Sequence, residues 1–185
     1  VANDGYLRLV DFGLSKFLGP GERTFTFCGT PLYLAPEVWG HGGHDAAVDW
    51  WALGCLAYEI SSNGTLPFQG ETQGDIRKKI LTEPVSFGGA AKRFSPELRA
   101  LITGLLAKNQ HKRLGTLSEG AADVKSNSWF EGLDWHSLAR MEYPPPFRPE
   151  DAGNKEALRM TPKDQELVPP PTKECPQYGH MFPDF

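Results

Sequence analysis

Cysteine is scarce in this chain. It occurs three times in 185 residues, at Cys28, Cys55 and Cys175, with no spacing that suits a disulfide framework or a zinc site. A reducing, cytoplasmic compartment is therefore the expectation. Long apolar runs are also missing: none approaches the length of a membrane span, and no secretory leader stands at the start. Positive charge is not in excess. The net charge of −4 argues against a nucleic-acid-binding stripe. The imbalance is local, with 13 acidic and 13 basic groups in residues 1–130 and 10 against 6 in the remainder. There are no internal repeats. The chain starts at Val1, not Met, and reads as a fragment.

Proline is abundant but confined, with 10 of the 16 at or beyond position 144. The runs Pro144-Pro145-Pro146 and Pro169-Pro170-Pro171 exclude a helix or a central strand, so this tail is expected to be extended. Its simplest reading is a linker without a fixed fold. What precedes it holds enough apolar residues for a core, and one domain followed by a tail suits the length.

The most informative stretch runs from Asp11 to Glu37. It opens Asp11-Phe12-Gly13, passes a glycine-rich loop and a Thr24-Phe25-Thr26 cluster, then reads Gly29-Thr30-Pro31 and closes on Ala35-Pro36-Glu37. Tyr6 to Val10 alternates enough to predict a short strand delivering Asp11 to a loop. A carboxylate there suits magnesium, a hard cation that takes oxygen ligands and bridges phosphates; a lone Asp at a turn is otherwise a cap. Gly13 allows a sharp turn, and Phe12 is expected to pack inward. Thr24 and Thr26 fall in a polar, flexible loop. A phosphate on Thr26 adds nearly two negative charges and could order that loop against Lys16 or Arg23. Unmodified, Thr26 is a solvent-facing hydroxyl.

Downstream, the pattern predicts helices. Val48 to Ser62 is apolar almost all round, as in a helix buried on every side, with Trp50 and Trp51 as core aromatics. Asp49 in such company needs a hydrogen bond. His41 and His44 lie in a turn-rich loop with no carboxylate or Cys cluster to make them metal ligands. Thr72 to Leu81 reads as an exposed helix whose basic Arg77, Lys78 and Lys79 form a solvated face. Ser95-Pro96-Glu97 is a helix start: a capping Ser, Pro at the first position and an acid for the dipole. Leu98, Leu101, Ile102, Leu105 and Leu106 then recur at helical spacing. Short helices are expected at Ala121 to Lys125 and after Asp134, with Trp129 and Phe130 closing the core.

The segment from Asp-Phe-Gly to Ala-Pro-Glu is the activation-segment signature of protein kinases. On it, and on Cys28-Gly29-Thr30-Pro31, Gly43-His44-Asp45 and Trp129 to Trp135, the chain resembles the C-terminal part of an AGC-group serine/threonine kinase, most similar to the cyclic-nucleotide-dependent kinases and within them to the cGMP-dependent branch. The resemblance implies a mainly α fold: a helical C-lobe over residues 1–130, lacking the N-lobe and catalytic loop, followed by an extended AGC tail over 131–185. It implies ATP and Mg2+ as cofactors, with Asp11 as metal ligand. Thr26 matches the activating phosphothreonine, with Lys16 as a basic partner. Thr30 matches the threonine that bonds the catalytic aspartate. Phe27, Pro31 and Leu34 match the pocket for the residue after the acceptor, and Glu59 a carboxylate that reads a substrate arginine. Glu37 is expected to pair with Arg113, and the match to Asp49 bonds the catalytic-loop backbone. Phe182 and Phe185 resemble a terminal motif that docks on an N-lobe.

Two positions depart from the pattern. Leu32 stands where an acid is usual, and the loop before Thr24 is longer than in close relatives. The tail also lacks the aromatic-acidic cluster that meets the nucleotide. Protein or peptide substrates with basic residues, an N-lobe in cis and cyclic-nucleotide-binding regulatory domains are the implied partners. The Gly-rich loop, strand lysine and His-Arg-Asp loop are absent, so the catalytic base and second metal ligand are expected upstream of Val1, and the fragment alone is expected to be inactive. The alternative is a non-catalytic truncated kinase or pseudokinase acting as a protein-binding module.

Overall fold

A computed structural model of the chain describes residues 5–88 and 93–145. Its residues divide into two compact units, one running from Val10 to Leu138 and the other combining the chain's two ends. The first holds nearly all the regular structure. Among the described residues there are helices and no strand of a sheet. Among these residues no helix is long and apolar enough to cross a membrane.

Residues 5–10 do not form the expected strand. A strand needs a neighbour to pair its N–H and C=O groups, and none is present among the described residues. Leu7, Leu9 and Val10 are accordingly exposed. In this end unit Tyr6 is tied down by its hydroxyl, which lies 2.7 Å from the carbonyl of Met141 and 2.6 Å from that of Tyr143.

The Val10–Leu138 unit is built on α1 (Pro36–Trp39), α2 (Ala47–Ser62), α3 (Gln73–Thr82), α4 (Pro96–Leu105), α5 (Ala121–Lys125) and α6, which starts at Trp135 and ends at Ala139. Local chemistry sets most boundaries. Asp45 Oδ1 accepts the Ala47 N–H at the start of α2, and Asn63 ends it in the left-handed region at φ 69. Thr72 and Asp75 form a reciprocal capping box at α3. Ser95 Oγ accepts the Leu98 N–H at 3.2 Å, with Pro96 opening α4. Asp134 accepts the N–H of His136 at 2.9 Å at the start of α6.

The core lies between α2 and α4. Trp51 and Cys55 are fully buried, and Trp51 stacks on Phe68 with centroids 5.6 Å apart. Tyr58 meets Phe94 at 5.0 Å and donates from its hydroxyl to the Ser86 carbonyl. Gly54 makes the crossing possible: a Cβ there would sit 2.9 Å from both Leu105 Cβ and Leu106 Cδ2. Gly115, at φ +94, lets the chain pass Trp50, where a Cβ would come within 2.4 Å of the indole.

Two expectations about burial fail. α2 is not buried all round, because Leu53, Leu56 and Ile60 are exposed. They line an apolar groove of about 310 Å³ with Leu98, Leu101 and Trp129. Trp129 is likewise exposed and not a core aromatic, although its ring sits edge-on to Phe130 at 4.7 Å. An apolar periphery says nothing about which side meets a neighbour; α4 covers only one.

Candidate active site

Asp11 occupies the left-handed region at φ 66, a conformation that non-glycine residues adopt mainly when a short polar side chain bonds locally. Its Oδ1 accepts the Gly13 N–H at 3.2 Å, and Ser15 Oγ donates to the Phe12 carbonyl at 2.6 Å. The carboxylate is exposed, and so is Phe12, against the expectation that it packs inward. Asp11 offers a hard oxygen donor at a turn. Among the described residues no group of three or more His, Cys, Asp or Glu could hold a metal ion. A single carboxylate oxygen is a ligand type that magnesium accepts beside phosphates and water.

Thr24 and Thr26 differ sharply. Thr24 is buried and not in a flexible polar loop: its N–H donates to the His44 carbonyl at 2.8 Å and its carbonyl accepts from His44 N–H at 2.9 Å. Thr26 faces solvent. Lys16 Nζ lies 3.4 Å from Thr24 Oγ1, which is 3.4 Å from Thr26 Oγ1. The two hydroxyls and the ammonium thus form one chain, with Thr24 in the middle. His44 is a backbone partner in this arrangement, a role with no local sequence signal.

Beyond Thr26 the chain passes Thr30, whose carbonyl accepts the Tyr33 N–H at 2.9 Å at a 3-10 turn over Pro31–Tyr33. Phe27 stands edge-on to Trp39 at 5.3 Å and 5.5 Å from the His41 ring. Leu34 is only 8% exposed and belongs to the core. Phe27 and Pro31 remain accessible, so the three expected pocket residues are not equally available. Glu59 Oε2 accepts a hydrogen bond from the Tyr33 hydroxyl. That bond, then burial, pushes the Tyr33 phenol up to about 12.

A buried polar cluster surrounds Arg113, which is 0% exposed. Its Nη1 donates to Glu37 Oε1 at 2.6 Å and Nη2 to Oε2 at 2.9 Å, a bidentate fork. Nη1 also reaches the Ala47 carbonyl at 2.8 Å and Nε the Ala107 carbonyl at 3.1 Å. The guanidinium lies 5.2 Å from the Trp51 ring centroid. One side chain thus joins α1, the start of α2 and the segment after α4, and anchors the end of the Asp11-to-Glu37 stretch.

Asp49 does not meet its expectation. It is exposed on α2, and its carboxylate has no hydrogen-bond partner among the described residues. Partial desolvation holds its pKa above the ordinary carboxylate range. Phe182 and Phe185 lie outside the described residues.

The family model for the protein kinase domain matches residues 1–130. The chain belongs to the protein kinase family. It is 37% identical, over all of its own length, to the cAMP-dependent protein kinase catalytic subunit of Dictyostelium discoideum. It is 41% identical over 96% of its length to the serine/threonine protein kinase ypkA of Aspergillus fumigatus, and 42% identical over 81% to cGMP-dependent protein kinase 2 of Mus musculus. These relatives place it with the AGC serine/threonine kinases, and the helical unit corresponds to a kinase C-lobe. The kinase chain spans 28%, 26% and 19% of the length of these three relatives.

Proposed function

We propose that this chain is the back half of an ATP-dependent serine/threonine kinase that transfers the γ-phosphoryl group to a protein hydroxyl, within a cyclic-nucleotide-regulated branch. The observation that carries the reading is the stretch from Asp11 to Glu37, exposed at Asp11 and clamped at its Glu37 end by the buried Arg113 fork. An exposed carboxylate at one end and a rigid anchor at the other suit a segment that presents a metal ligand and a peptide surface.

In this reading Asp11 holds Mg2+, which neutralises charge on the ATP phosphates when bound. Thr26 is the phosphorylation site and Lys16, relayed through Thr24, its basic neighbour. Thr30 orients the catalytic aspartate supplied from upstream. Phe27 and Pro31, with Leu34 behind them, receive the residue after the acceptor, and Glu59 receives a basic one. The Tyr33 hydroxyl already engages Glu59, so this carboxylate is held in place before any peptide arrives. Leu32, beside Tyr33, weakens the case for a second basic contact. The exposed Leu53, Leu56 and Ile60 support a cover from the remainder of a kinase domain, and residues 131–185 are read as an AGC tail that returns to an N-lobe through Phe182 and Phe185.

The test is γ-phosphate transfer to a basic peptide by the full-length protein. Asp11→Asn is expected to abolish turnover, and Thr26→Ala to lower it. Wild-type turnover in Asp11→Asn removes Asp11 from the chemistry. No transfer by the unsubstituted full-length protein sinks the catalytic reading and leaves the second one, a binding module without chemistry, which the intact Phe27 and Glu59 surface supports.

A further inference from the structure

Two segments far apart in the chain meet at one hydroxyl. Tyr6 Oη lies 2.7 Å from the Met141 carbonyl oxygen and 2.6 Å from that of Tyr143, all within the end unit. A phenol carries one proton, so it donates to one carbonyl at a time and leaves the other facing an oxygen. Met141, which carries the first carbonyl, is held at φ 58, the left-handed region that a long side chain rarely adopts. Arg140 and Glu142 pair across it, Nε to Oε1 at 2.6 Å and Nη2 to Oε2 at 3.1 Å. The turn over residues 140–143 is thus bent by a strained residue and closed by the Tyr6 hydroxyl and an exposed ion pair. Strain at one residue and one surface hydrogen bond are of similar size and opposite sign, so this turn is finely balanced.

We propose that Tyr6 is a phosphorylation site and the clasp of this turn: with its hydroxyl unmodified the turn stays closed, and a phosphate on it lets the turn open. The phenol oxygen attacks the γ-phosphorus of ATP on a protein-tyrosine kinase. A bond forms between that phosphorus and the phenol oxygen, the bond to the bridging oxygen breaks, ADP leaves with the electron pair, and the phenolic proton passes to a base of the modifying enzyme. Nothing is oxidised or reduced, and ATP is the only co-substrate. Neither the step nor its site depends on reading this chain as a kinase.

Among the described tyrosines, Tyr6 alone combines access with control of the turn. Residues 5–10 hold no helix or strand, and the neighbouring Leu7 and Leu9 are exposed, so the segment can be drawn into an enzyme's cleft without breaking a regular element. Tyr58 is buried within α2, and Tyr33 sits in a 3-10 turn with its hydroxyl on Glu59. Tyr143 joins the clasp through its backbone carbonyl, so a phosphate on its ring leaves the Tyr6 donor in place. On Tyr6, a phosphate removes the donated hydrogen and sets nearly two negative charges where two carbonyl oxygens converge. The strain at Met141 then works against a much weaker closure, since an exposed ion pair contributes little.

The full chain is treated with a broad-specificity protein-tyrosine kinase and ATP, and peptide mass spectrometry locates the phosphate. Trypsin then reports on the turn, because a protease takes its substrate extended and cuts the Arg140–Met141 bond in the open form. Phosphate on Tyr6 is expected, with cleavage after Arg140 about fivefold faster, the factor that one surface hydrogen bond supplies. Tyr6→Phe, which removes the hydroxyl and keeps the ring, is expected to show the same acceleration with no phosphate. Cleavage after the exposed Lys125 is expected to stay unchanged in both. No phosphate on Tyr6, or an unaltered rate after Arg140 in either form, overturns the proposal. Equal acceleration after Lys125 also overturns it, because a general loosening would then explain both cuts.

Discussion

The α2–α4 body and the first half of the Asp11-to-Glu37 stretch are both rich in large apolar side chains, yet they treat them in opposite ways. In the body, Trp51, Phe68, Ile102 and Leu105 are essentially fully buried. In the stretch, Leu14, Phe17 and Phe25 are 71, 68 and 70% exposed. The difference is one of partners, not of composition. Around α2, Gly54 lets α4 approach, and Arg113 joins three segments through four hydrogen bonds. Residues 12–27 reach the rest of the unit through the Thr24–His44 bridge and the contacts of Phe27 with Trp39 and His41, while Lys16, Thr24 and Thr26 contact one another. Their large apolar side chains stay largely in solvent.

Arg113→Ala separates the two regions most strongly. It removes a bidentate partner and leaves the Glu37 carboxylate, only 11% exposed, without compensation. A loss of about 3–5 kcal/mol is expected in denaturant unfolding. A loss near zero would mean that the body does not rest on this cluster. Gly54→Ala comes next. Alanine favours a helix by up to about 1 kcal/mol, but the 2.9 Å clashes with Leu105 and Leu106 cost about 1–3 kcal/mol, so net destabilisation is expected.

A smaller effect appears in pH dependence. Lys108 has a folded pKa of about 8, below its unfolded 10.5, so the unfolded chain binds more protons above pH 8 and stability rises with pH there. Cys55 works the other way: burial pushes its thiol from 9.0 up to about 12, so its contribution is lost above pH 9. Tyr33, raised from 10.0 to about 12, adds to that loss above pH 10. Between pH 8 and 9 the Lys108 effect therefore dominates, and Lys108→Met is expected to abolish the rise in melting temperature across that window. Persistence of the rise would assign it to another group. Phe17→Ser should matter least for stability, within about 0.5 kcal/mol, while lowering binding of an apolar-surface dye. A core-sized loss would show that the stretch is packed after all.

What could be read along the chain was what depends on neighbours in sequence. Ser95 declares the start of α4 because its hydroxyl serves an N–H three residues on, and Leu98 to Leu105 declare its buried face by their spacing. The Tyr6 to Val10 alternation failed as a strand because pairing is not local. Asp49 failed as a bonded core carboxylate because α2 turns it to the surface. The Arg113–Glu37 pair spans 76 positions, and only resemblance to kinases suggested it. The Tyr33–Glu59 bond, the Thr24–His44 bridge and the flanking of Phe27 by Trp39 and His41 had no signal in spacing.

The sequence by itself determined the helix starts, the mainly helical class, the family and the order of chemical groups from Asp11 to Glu37. These follow from capping chemistry, periodicity and motif, which act over a few bonds. Tertiary structure alone decided which side of α2 is covered, which threonine is buried, and that an ordinary-looking Lys108 loses its solvation. The physical reason is the same in each case: burial and electrostatic environment are set by atoms from several segments at once. The rings around Lys108 come from positions 51 and 68 and its carbonyl from position 79, brought together only when α2, α3 and the end of α4 pack.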